Sequence, residues 1–157
     1  MNAPCLDFNQ AARAVMDQVT PLADRLGGKP GAKHLLLALL RAGNSRITAP
    51  FHDLGVDADH AQDLIERNSS GWNEYLMEQV ECELWLEPRG PEGLTLFSIA
   101  TSLLRLPGFI SGYQYRERDP MGPKAPSVET VIYHFNQISI YDDYIEEGLR
   151  RHDTERP

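Results

Sequence analysis

Apolar residues recur along this chain with the period of a helix. In "FNQAARAVMDQVTPLADRL", Ala12, Val15, Met16, Val19, Leu22 and Leu26 stand three or four apart and form one stripe of an amphipathic helix. Asn9 is placed to cap its start. Pro21 removes an amide donor in mid-helix and predicts either a kink or two shorter helices meeting at Thr20. Gly27-Gly28 stops the segment. His34 to Arg41 is apolar on nearly every side, which predicts a central helix. Ser45 is expected to cap a short helix carrying Ile47, Phe51 and Leu54, closed by Gly55. Asp57 then caps another, with Ala61, Leu64 and Ile65 facing inward.

The second half begins again. "SSGWNEYLMEQVECELWLEP" puts Trp72, Tyr75, Leu76, Val80 and Leu84 on one helical face. Thr95 caps "LFSIATSLLR", a second compact apolar helix. Residues 107–126, rich in proline and glycine and without a period, read as a long loop. Ser127 is expected to cap "VETVIYHFNQI", and Asp142 a terminal helix through Ile145 and Leu149. Strand alternation is nowhere sustained, so the fold class is all-α.

The two halves echo each other. Residues 34–41 and 98–105 both end in Leu-Leu-Arg, and 56–67 set over 140–151 pairs Val56 with Ile140, Ala61 with Ile145 and Ile65 with Leu149. Ala12 likewise falls on Leu76, Met16 on Val80 and Leu22 on Leu86. The two offsets differ by about the length of the 107–126 segment. The expected architecture is therefore two degenerate four-helix repeats, about 9–68 and 71–152, with a pseudo-twofold relation and a loop insertion at 107–126. All of 1–157 is read as a single domain.

"ARAVMDQVTPLADRLGG", "GAKHLLLALLRAG" and "DLGVDADHAQDLIE" together resemble the amino-terminal domain of Clp ATPases, itself a pair of four-helix repeats. Most characteristic is Gly31-Ala32-Lys33-His34 running into Leu35–Arg41, followed at the matching distance by Leu54-Gly55-Val56. The second repeat matches mainly by arrangement, its Gly-x-x-His start being gone. The family's motor follows this domain, and a chain of 157 residues leaves no room for one, so the recognition module alone is expected. The resemblance implies a non-catalytic protein- or peptide-binding module that docks adaptors, substrates or a Clp protease assembly. In several relatives an acidic residue precedes the motif histidine and helps hold phosphorylated arginine. Lys33 takes that place here and Phe97 is its counterpart, which argues against that recognition because a cation cannot pair with a guanidinium.

Other chemistry is sparse. Gly27 followed by Ala32-Lys33-His34 is two substitutions short of a phosphate-binding loop, but a helix leads in, Ala32 replaces the last glycine, and His34 stands where the magnesium-binding hydroxyl belongs. The segment is expected to be a turn, with His34 packing or capping and Lys33 solvated or attracting an acidic partner. A net charge of -8 with no basic patch excludes a nucleic-acid partner, and the longest apolar run, Leu35 to Leu40, is too short to span a bilayer. Without a secretory signal, and with only Cys5 and Cys82, a cytoplasmic protein is expected. The scattered histidines form no metal-binding spacing, no cofactor is expected, and the acids Asp142, Asp143, Glu146 and Glu147 share one solvated face.

Within 107–126, Phe109, Tyr113, Tyr115, Arg116 and Arg118 combine aromatic and guanidinium groups, the types enriched at binding hot spots. They are the candidate partner-contact residues, acting with a groove between the repeats; the alternative is that Phe109, Ile110 and the tyrosines fold back over the core. Two other functions compete with the binding module: a small helical hydrolase with a composite His/carboxylate site, and a decoy that sequesters ligands of a true Clp ATPase.

Overall fold

The computed structural model describes residues 6–42, 45–67, 75–88, 93–107, 109–110 and 132. Within them the chain forms α1 (Gln10–Met16), α2 (Val19–Leu26), α3 (Ala32–Arg41), α4 (Ser45–Asp53), α5 (Ala58–Glu66), α6 (Met77–Trp85) and α7 (Leu96–Arg105), with no β-strand among the described residues. The helices pack on one another around a shared apolar core.

The first stripe is two helices, as one of the two outcomes at Pro21 requires, but they join at Asp17-Gln18 rather than at Thr20. An early restart puts Pro21 in the first turn of α2, where an amide has no intrahelical acceptor and proline is tolerated. The caps follow the sequence closely. Asn9 Oδ1 accepts from the Ala12 amide at 2.9 Å, Asp57 Oδ1 from the His60 amide at 2.9 Å, and Thr95 Oγ1 from the Ser98 amide at 3.4 Å. Ser45 is the first residue of α4 rather than its expected cap. Pro50 lies inside that helix, whose inner face carries the buried Ile47 and Phe51.

α3 is the hub. Every residue from Ala32 to Leu40 is buried, and the helix packs against α1, α2, α4, α5 and α7. Leu35, Leu36, Leu37 and Leu39 are fully enclosed, each contributing about 1.5–3 kcal/mol by leaving water. α7 is its counterpart, buried from Ser98 to Leu104 and packed on α1, α3, α4 and α6. Its polar side chains are satisfied locally: Thr101 Oγ1 donates to the Phe97 carbonyl and Ser102 Oγ to the Ile99 carbonyl, both at 2.8 Å.

Two isolated backbone bridges tie the starts of helices together. Phe8, ahead of α1, pairs in parallel with Leu94, ahead of α7; the Leu94 amide donates to Asp7 at 2.8 Å and the Asn9 amide to Leu94 at 2.9 Å. Gly31, ahead of α3, pairs antiparallel with Leu76, ahead of α6, and the Ala32 amide donates to Tyr75 at 2.8 Å. Each bridge depends on a glycine. A Cβ at Gly31 would lie 2.5 Å from the Tyr75 carbonyl oxygen, and one at Gly93 only 2.6 Å from that of Asp7.

α6 corrects the sequence reading. Tyr75 and Leu76 are extended and precede the helix instead of lying on its face, because this segment makes the bridge to Gly31. Leu76 is 36% exposed, whereas Val80 and Leu84 are buried as the stripe predicts. Trp72, most of the 107–126 segment, the helix expected from Asp142 and, apart from Ile132, the one expected from Ser127 lie outside the described residues; Ile132 is helical and packs against the core.

Candidate partner-binding surface

The stretch from Gly27 to His34 is a turn led by a helix. α2 runs into Gly27, whose φ of 97° ends it, and α3 starts at Ala32. His34 Nε2 lies 3.0 Å from the Gly27 carbonyl oxygen, and Nδ1 accepts from the Gly31 amide at 3.2 Å. That pairing selects the neutral ring with its proton on Nε2, donating to Gly27. Burial holds the imidazole pKa below its ordinary value, opposed by the bond to Gly27 and reinforced by the Lys33 charge. His34 staples the turn from inside, the packing and capping role expected of it.

Lys33 departs from expectation. It does not project into solvent but is 3% exposed, and burial lowers its pKa. Its side chain folds back over the turn, where a Cβ on Gly28 would come within 2.9 Å of Nζ. The aliphatic stem thus reaches back from α3 to Gly28. This is no open cation for an acidic partner.

Phe109 also lies inside. It is fully buried, its ring 5.0 Å from that of Tyr75 and tilted by 58°, and Tyr75 donates its hydroxyl to the Pro107 carbonyl at 2.8 Å. Ile110 is buried beside it. The start of the 107–126 segment therefore folds back over the core, and Phe109 is a packing residue rather than an exposed contact. Tyr113, Tyr115, Arg116 and Arg118 lie outside the described residues.

An open cleft of about 560 Å3 runs between α1, α2, the end of α3 and the start of α7. Ala11 and Ala14 of α1 face Ala38 and Ala42 at the end of α3, with Val15 and Leu22 beneath and Leu96 at the α7 side. Arg25 and Arg41, both exposed, stand on its rim, and among the described residues its lining holds no carboxylate. The sequence expectation was a groove between the halves; the described residues lining this cleft belong to the first half except for Leu96, and the expectation named none of them as site residues. The available signal was the pair of exposed alanines on α1, Ala11 and Ala14, where a solvated helix ordinarily carries polar side chains.

A second surface feature lies at the end of α6, where Trp85 is 41% and the capping Leu86 71% exposed. Just beyond, Glu87 is buried and faces Arg105 Nη1 at 3.1 Å, which fastens the end of α6 to the end of α7. Burial pushes the Glu87 pKa up, the Arg105 guanidinium pulls it down, and Glu83 adds to the rise. Among the described residues, no three His, Cys, Asp or Glu side chains are grouped to hold a metal ion, and no helix is long and apolar enough to cross a membrane. No protein-family model and no curated protein matches this chain.

Proposed function

We propose that this chain is a non-catalytic module that binds proteins or peptides, built from two degenerate four-helix repeats and related to the amino-terminal domain of Clp ATPases. The observation that carries the reading is the open cleft formed by α1–α3 of the first repeat and bordered by Leu96 of α7 from the second. Clefts between structural units are common binding sites, and this one has an apolar floor with few polar groups.

The repeat assignment draws support from the two bridges. One joins the start of the first helix in one repeat to the start of the second helix in the other, and the other bridge does the reverse. The likeness lies in which helix starts are joined and not in the pairing itself, one bridge being parallel and the other antiparallel. α3 and α7, the two buried helices ending in Leu-Leu-Arg, pack together at the centre. The partner classes are adaptors, substrates or the Clp protease assembly itself.

The reading is tested with the purified protein against a Clp ATPase and Clp protease of its own source, by sedimentation velocity, and against an immobilised peptide array. A saturable complex with either assembly, or reproducible binding to a subset of peptides, is expected. Failure to bind both the assemblies and the array overturns it.

A further inference from the structure

We infer that the cleft accepts an acidic segment of a partner polypeptide, one large apolar side chain seated among the alanines and flanking carboxylates held by Arg25 and Arg41. The inference rests on the binding-module reading and specifies its ligand. Three observations carry it.

First, the rim is electrostatically unlike the rest of the molecule. The chain has a net charge of -8, yet among the described residues this lining carries two guanidinium groups and no carboxylate. Second, neither the Arg25 nor the Arg41 guanidinium has a hydrogen-bond or ion-pair partner among the described residues. Arg13, one helix away, is by contrast occupied, its guanidinium 5.6 Å from the centre of the Phe8 ring.

Third, the two halves treat equivalent arginines differently. Arg105 ends the Leu-Leu-Arg of α7 and is met by Glu87 at 3.1 Å. Arg41 ends the Leu-Leu-Arg of α3, and aligning Leu22 with Leu86 puts Ala23 where Glu87 stands. The carboxylate that closes this corner in the second half is missing in the first. A partner supplies it, and a guanidinium takes a carboxylate through two parallel N–H donors. Ala11, Ala14, Ala38 and Ala42 leave room for a leucine or phenylalanine between the two cations, with Val15 and Leu22 beneath it.

The test uses the full chain and three fluorescein-labelled decapeptides read by anisotropy. One carries Leu and Phe flanked by glutamates, the second has glutamine for each glutamate, and the third has lysine. The glutamate peptide is expected to bind at least ~10-fold tighter than the glutamine peptide and to weaken as salt rises. The double variant Arg25→Gln/Arg41→Gln should abolish that preference. Ala14→Trp should block all binding by filling the cleft. Because these three side chains are exposed, unchanged melting temperatures of the variants separate loss of binding from loss of fold.

Equal affinity for the glutamine peptide, stronger binding of the lysine peptide, or a preference that survives the double variant overturns the inference. So does undiminished binding to Ala14→Trp. If the protein binds array peptides but none of these three, the inference falls and the module reading stands. If it binds neither the array nor the Clp assemblies, the module reading itself has failed.

Discussion

The ring of His34 accepts from the Gly31 amide only while Nδ1 is unprotonated, so the turn it staples carries a pH dependence. In the unfolded chain an ordinary imidazole takes up its proton near pH 6.5; burial holds the folded ring neutral to lower pH. Between those two values the unfolded state binds more protons, and stability falls as pH drops from about 6.5. Glu87 works in the opposite sense: its raised pKa gives the folded state the extra proton, so its contribution is lost as pH rises. The informative quantity is therefore a difference between two proteins. His34→Gln should cost about 1–3 kcal/mol at neutral pH in urea unfolding, and the gap from the parent should narrow below pH 6.5. A constant gap would show that the ring is protonated in the fold. The role of His34 was legible because a histidine opening an apolar helix must find partners. Lys33 was not, since residue type does not reveal that a lysine stem will fold over Gly28.

Helix limits are set by competition between local capping and long-range pairing, and each wins somewhere in this chain. Asn9, Asp57 and Thr95 act within three residues, so their helices start where the sequence puts them. Tyr75 and Leu76 continue the apolar stripe of α6 on paper, but the bridge to Gly31 holds them extended. Periodicity cannot register a partner so distant in sequence. The glycines at the bridges give a direct test. Gly93→Ala adds a Cβ 2.6 Å from the Asp7 carbonyl oxygen, in a backbone of φ 100° that side chains disfavour, and should cost about 1–3 kcal/mol. Gly31→Ala meets the Tyr75 carbonyl oxygen at 2.5 Å without a backbone penalty and should lose Ala32 amide protection in hydrogen exchange. Stability and protection equal to the parent would mean the helix starts are not held together by these contacts.

At the scale of the whole molecule, the core and the ligand surface are separable. Phe109 fills the interior against Tyr75, so Phe109→Ala should lower global stability by about 3–5 kcal/mol. Any binding defect in that variant should track its unfolded fraction and vanish where it is folded. A selective defect in fully folded protein would return Phe109 to the contact surface. The all-helical class and the centrality of α3 were readable, because a helix apolar on every side has nowhere else to go. The cleft was not. Its alanines and arginines come from three helices, and no single stretch shows that small residues on one will stand near small residues on another.

The pairing of Phe8 with Leu94 spans nearly the whole described chain, and that of Gly31 with Leu76 lies nested within it. Contacts this remote require large loops to close before they return any stabilisation, which slows productive collapse relative to a bundle held by neighbouring helices alone. A nascent chain that has emerged only as far as α5 has neither clasp. On the ribosome, the leucine face of α3 consequently waits for α7 to be synthesised before its cover is complete.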